Sequence, residues 1–158
     1  MKKLMATLIR VNWKTLVPLG ILLVLFVTNA FHEKYPDEFD SIVGGKYILE
    51  GRIPYRDWFH HHQPGAYVLS AILLPFAHGS FVRLRVLIAL SFFTIVAGTY
   101  FLLKKRVPEF DGRYYLFFAI TLAVSGTYFW GQMLLADTLA AYLIIPAYLL
   151  LLSKDYYR

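Results

Sequence analysis

The chain reads as an all-α, multi-pass helical membrane protein, and three observations point there. Hydrophobic residues make up 58% of it and charged residues 16%, against about half and about a quarter in soluble domains. The charges are bunched, which leaves apolar runs near the roughly 20 residues that a spanning helix needs. Those runs are continuously apolar, without the alternation of a transmembrane barrel, the other way to satisfy backbone groups in lipid. About four transmembrane helices are expected, with two short surface helices in the first outer loop. The 158 residues form a single membrane domain, with residues 32–82 as that loop.

The first span covers about 13–31. Lys2, Lys3, Arg10 and Lys14 surround its start, so the N-terminus belongs in the cytoplasm. Trp13 sits where an interfacial anchor belongs. The start has the charge layout of a signal peptide, but no small-residue cleavage site follows, so the run is read as uncleaved. Residues from His32 onward then lie on the outer face.

Residues 37–50 predict a short amphipathic helix. Asp37 and Glu38 suit its first turn, where acids complement the helix dipole. Phe39, Ile42, Val43 and Tyr47 recur near helical spacing, and Gly51 is a stop signal. Such a helix lies on a membrane surface. Gly44-Gly45 allows either close packing or a kink. Residues 52–62 predict a loop.

The run 64–77 is too short to span and reads as interfacial or re-entrant. The run 82–103 is full length and ends in Lys104-Lys105-Arg106, which with Arg113 belong inside. Residues 64–77 then begin and end outside. In the alternative they cross, and the three cations lie outside; the charge rule prefers the first arrangement. Residues 114–130 return outward, and residues 138–152 go back in. Asp137 then shares a face with Asp37.

The net charge of +6 sits mostly at the ends of apolar runs, where it orients a membrane protein. No basic patch interleaves with aromatics on a polar domain, so no nucleic-acid partner is implied. The chain has no cysteine, which excludes disulfides and thiolate metal sites.

The stretch YPDEFDSIVGGKYILEGRIPYRDWFHHHQPGAY, from Tyr35 to Tyr67, holds the densest set of acids and histidines. Ionisable groups at a membrane are a default site. An aspartate there suits a general base or a divalent cation; equally, the acids can cap a solvated helix. His60-His61-His62 is a weak metal signal, because zinc sites favour better-spaced ligands; hydrogen bonding to a lipid phosphate suits a histidine better. Arg52, Arg56, Arg83 and Arg85 can grip phosphate or snorkel to headgroups, the latter expected for Arg83 and Arg85 together. Asp137 is also a candidate N-cap of the last helix.

At these residues the chain resembles the GT-C superfamily of membrane glycosyltransferases, and most closely the protein O-mannosyltransferase and aminoarabinose-transferase type (glycosyltransferase family 39-like). Four features carry the resemblance: PDEFD directly after the first span, the stretch GKYILEGRIPYRDW, His62-Gln63-Pro64-Gly65 before a short apolar segment, and LLAD ending at Asp137. The order and spacing cover nearly the whole chain. The resemblance implies sugar transfer from a polyprenyl-phosphate-linked donor to a glycan, lipid or protein acceptor at the outer face of the cell membrane. It implies Asp37 as the catalytic residue, either the general base or the group that orients the acceptor. Glu38, Asp57, His62, Gln63, Arg83 and Asp137 are the substrate-binding candidates, with His62 and Gln63 at the donor phosphate. No cofactor is certain, and a divalent cation stays open. Family members run to several hundred residues, so the chain corresponds to an N-terminal portion, and a longer chain or a partner subunit is expected. A non-catalytic assembly subunit or lipid-binding scaffold is the alternative.

Overall fold

The computed structural model describes residues 13–32, 36–59, 64–107, 109–128, 134 and 136–155. These form six helices and no strand: α1 (Trp13–Asn29), α2 (Pro36–Leu49), α3 (Gly65–Ala77), α4 (Phe81–Arg106), α5 (Gly112–Tyr128) and α6 (Ala136–Asp155). The all-α expectation holds for them. Only α4 among them is long and apolar enough to cross a membrane, with a mean hydropathy of 2.3 over its most apolar stretch. Shorter apolar helices are Trp13–Asn29, Gly65–Ala77 and Asp137–Leu152.

Local chemistry sets the helix ends. Gly51 has φ of +82°. Its N–H donates to the Ile48 carbonyl at 2.9 Å, and the Arg52 N–H donates to the Tyr47 carbonyl at 2.9 Å. That is a Schellman closure, which needs a residue tolerant of left-handed backbone. His78 and Gly79 are also left-handed, and Ser80 then caps α4 by accepting from the Arg83 N–H at 3.4 Å. Asp111 caps α5, accepting from the Arg113 N–H at 3.0 Å.

Contacts fix the relative directions of the helices. Thr15 in α1 shares a 3.0 Å hydrogen bond with the Tyr100 hydroxyl near the far end of α4. The carbonyl of Ala30, just past α1, accepts from Arg85 near the start of α4 at 3.4 Å. The two helices are therefore antiparallel. Helix α5 reverses again, since the Tyr115 hydroxyl near its start donates to the Val96 carbonyl at 2.9 Å. Its other end meets the end of α1, where Asn29 Nδ2 donates to the Ala123 carbonyl at 3.3 Å. Helix α6 packs on α4 with Phe92 stacked on Tyr142 at 4.4 Å.

The chain thus enters α4 at the end where it left α1. Segment α2–α3 does not reverse the direction of the bundle. Instead α2 and α3 form their own antiparallel pair. A Cβ on Gly44 would come within 2.5 Å of Tyr67 Cδ1, and one on Gly45 would come within 2.5 Å of Ser70 Cβ and 2.9 Å of the Ala71 backbone nitrogen. The glycine pair therefore serves close packing, not a kink. The buried face of α2 carries Glu38, Ser41, Ile42, Gly44 and Gly45, while Phe39 and Val43 stay exposed. The apolar face expected from spacing is thus split, because Glu38 and the glycines take the inward positions.

Candidate active site

The site is built where α1 ends, α2 begins and α4 begins. Arg85 is only 3% exposed and Glu38 0%. Arg85 Nη2 donates to Glu38 Oε2 at 2.7 Å, and Arg85 Nε donates to both carboxylate oxygens at 3.1 Å. Its Nη1 donates to the carbonyl of His32 at 2.5 Å and to that of Ala30. The guanidinium also lies over the Phe81 ring at 4.9 Å, and Phe81 stacks on Phe39 at 5.3 Å. This corrects the expectation that Arg85 snorkels beside Arg83. A buried guanidinium cannot shed its charge, so it must be paired and hydrogen-bonded, and the fork on Glu38 does both.

The other predicted residues fall around this core. Asp37 stands beside Glu38 in the first turn of α2 and is half-buried. Arg83 is exposed, two residues before Arg85. Asp137 lies in the first turn of α6, because that helix starts at Ala136. It is therefore one residue inside the helix and not at the cap. It is exposed and lines a cavity of about 330 Å³ with Ser125, Gly126, Thr138 and Tyr142. The structure pairs Glu38 with Arg85, leaves Asp37 and Arg83 as their neighbours along α2 and α4, and sets Asp137 across the same end of the bundle. His62 and Gln63 lie outside the described residues, as do His60 and His61.

Asp57 closes the loop after α2. Its Oδ2 accepts from the Ile53 N–H at 2.8 Å, and Arg56 forks onto both of its oxygens at 2.7 and 2.8 Å. The hydrogen bond from Arg56, helped by the Ile53 N–H, pulls its carboxyl down to about 2. The following Trp58 packs on Tyr67 at 4.9 Å and on Tyr47 at 5.5 Å, which pins the loop against the α2–α3 pair.

An apolar cleft of about 720 Å³ opens between α3, α4 and α6, with Val68, Ile72, Leu87, Leu90 and Leu143 among its walls. Pro64 and Gly65, which follow His62-Gln63 in sequence, also line it. Asp37 and Glu38 do not line it. Among the described residues no three histidines, aspartates or glutamates converge as a metal-binding group.

The burial of Arg85 is what the sequence reading missed, having taken it for a phosphate grip or a headgroup anchor, and a signal for it exists. The buried face of α4 runs Arg85, Ala89, Phe92, Val96, Thr99 and Leu103, a spacing of four and three residues. Arg85 is in phase with that stripe and Arg83 is not.

No protein-family model matches the chain, no curated protein matches it, and no solved structure matches it.

Proposed function

We propose that the chain is a membrane glycosyltransferase of the GT-C type, or the N-terminal portion of one, using a polyprenyl-phosphate-linked sugar at the outer face of the cell membrane. The observation that carries this reading is the division of labour in the Asp37-Glu38 pair. Glu38 is buried and committed to Arg85, while its neighbour Asp37 stays partly open to solvent. A carboxylate held by a fixed neighbour and open to an incoming group suits a general base.

In the reaction, Asp37 takes the proton of an acceptor hydroxyl as that oxygen attacks the anomeric carbon. The bond from that carbon to the phosphate oxygen breaks, and polyprenyl phosphate leaves. Arg83, exposed at the start of α4, is assigned to the charge gathering on the phosphate, as are the sequence candidates His62 and Gln63. Asp137 contributes from its cavity to sugar or acceptor. Asp57 acts through the loop it closes. The apolar cleft behind Pro64-Gly65 has the character an isoprenoid needs. A divalent cation at the phosphate stays open.

The membrane placement belongs to the same proposal. Helices α1, α4, α5 and α6 are the spans, with α2 and α3 at the outer surface. Their alternating directions support it. So do the exposed apolar side chains of Val17, Val24, Phe117, Ile144 and Leu151, which in water would form unusually large apolar patches. Lys104, Lys105, Arg106 and Arg113 gather at one end of the bundle, which the charge rule places in the cytoplasm.

The second reading is a non-catalytic assembly subunit or lipid-binding scaffold. The burial of Glu38 in a structural pair favours it, since that acid has no part left in substrate chemistry. Membranes containing the chain, incubated with a radiolabelled polyprenyl-phosphate-linked sugar pool, separate the two. The proposal expects incorporation above membranes lacking the chain. Incorporation only after the gene is extended at its 3′ end gives the N-terminal-portion form of it. No incorporation in either case gives the scaffold.

A further inference from the structure

We propose that Arg85 is a positioning residue for Asp37, an inference that rests on Asp37 as the base. One guanidinium ties three segments together. Its Nη1 holds the carbonyls of Ala30 and His32 past the end of α1, and its Nε and Nη2 hold Glu38 in the first turn of α2. Its own backbone belongs to α4. Asp37 lies between the two tethered points, five residues after His32 and one before Glu38. Phe39, next in sequence, is held from the same side by Phe81, over which the guanidinium lies. The backbone of Asp37 is thereby fixed relative to the start of α4, where Arg83 emerges.

The chemistry of the pair points beyond stability. Replacing a buried ion pair by apolar groups of similar volume is often neutral or stabilising. A fully forked arginine is therefore an inefficient way to hold two helices together. It does supply direction: the planar fork defines the approach of the carboxylate it binds, as a lysine ammonium cannot. A general base needs that, since a 1 Å misplacement can cost about 100-fold in rate.

The test compares wild type, Arg85→Lys and the double variant Glu38→Met/Arg85→Met in the full chain. The double variant removes both charges together, so it is expected to melt within about 4 °C of wild type. The inference expects its kcat for sugar transfer to fall about 100-fold, with little change in KM for the lipid-linked donor. Arg85→Lys, which keeps the charge and loses the fork, is expected to recover part of the rate. A double variant that melts like wild type and keeps its kcat overturns the inference. If the double variant does not fold, Arg85→Lys with unchanged kcat overturns it equally.

A second arm does not depend on activity. The chain has no native cysteine, so Asp37→Cys gives a single thiol whose labelling rate by a water-soluble maleimide reports its placement. That rate is expected to change several-fold when Arg85→Lys is added, and an unchanged rate overturns the positioning role. Transfer that survives Asp37→Asn defeats the reading of Asp37 as base instead, and the labelling arm then judges Arg85 alone.

Discussion

Arg85 and Glu38, 47 residues apart in sequence, meet at 2.7 Å with both side chains buried. They join the start of α4 to the start of α2. The pair stands at the one corner where the chain leaves the bundle after α1 and re-enters it at α4. Removing a single partner is expected to be costly, because it leaves an uncompensated buried charge. Glu38→Ala and Arg85→Ala should each lose about 3–5 kcal/mol, read by thermal unfolding in detergent micelles. A loss as small as that of an exposed ion pair would show that the pair is hydrated and not buried.

Gly45 and Gly44 should respond unequally to alanine. A Cβ on Gly45 meets the Ala71 backbone nitrogen at 2.9 Å, whereas the three atoms nearest to one on Gly44 belong to the side chains of Tyr67 and Trp58. Backbone cannot yield as a ring can. Gly45→Ala is expected to cost the upper part of the overpacking range of about 1–3 kcal/mol, and Gly44→Ala the lower part. Gly20 in α1 has nothing within 4 Å of its Cβ position, so Gly20→Ala should gain about 0.5–1 kcal/mol. Melting curves of the three variants check the order.

The loop after α2 carries a pH signature. Arg56 and the Ile53 N–H hold the Asp57 carboxyl at about 2, below its ordinary 3.8. A depressed carboxyl contributes its order above the unfolded value and loses it as pH falls through the folded one. The contacts of residues 52–59 should therefore persist at pH 4 and be lost near pH 2. Carbon-detected NMR titration of Asp57 is expected to show that midpoint, and Arg56→Gln should raise it toward 3.8.

Arg83 and Arg85 should separate kinetically. Arg83 is exposed and is proposed to meet the donor phosphate. Arg83→Ala is expected to raise KM for the lipid-linked donor about tenfold, as for a lost charged hydrogen bond of about 1.5 kcal/mol, with melting unchanged. An unaltered KM would remove Arg83 from the donor site.

The fold was legible wherever the cue was local. Gly51 ended α2 as expected, since a left-handed terminus selects glycine. The basic run at Lys104 extended α4 to Arg106 because lysine and arginine suit a final helical turn. The inward face of α2 was legible only in part. Of its apolar positions Ile42 is buried as the spacing suggested and Phe39 and Val43 are not, because a partner 47 residues away drew Glu38 inward and two glycines opened the same face to α3. Arg85 was misread for a related reason. Next to Arg83 at the start of an apolar run it resembles a headgroup anchor, and only its phase with Ala89, Phe92 and Val96 separates the two.

The most direct test of the central claim is the initial rate of sugar transfer in Asp37→Asn, set against Asp40→Asn at equal membrane content. The two aspartates lie one turn apart in α2. A general base is worth about 100- to 10,000-fold. The account predicts a loss of that size in Asp37→Asn and a retained rate in Asp40→Asn. Equal rates in the two variants would contradict it.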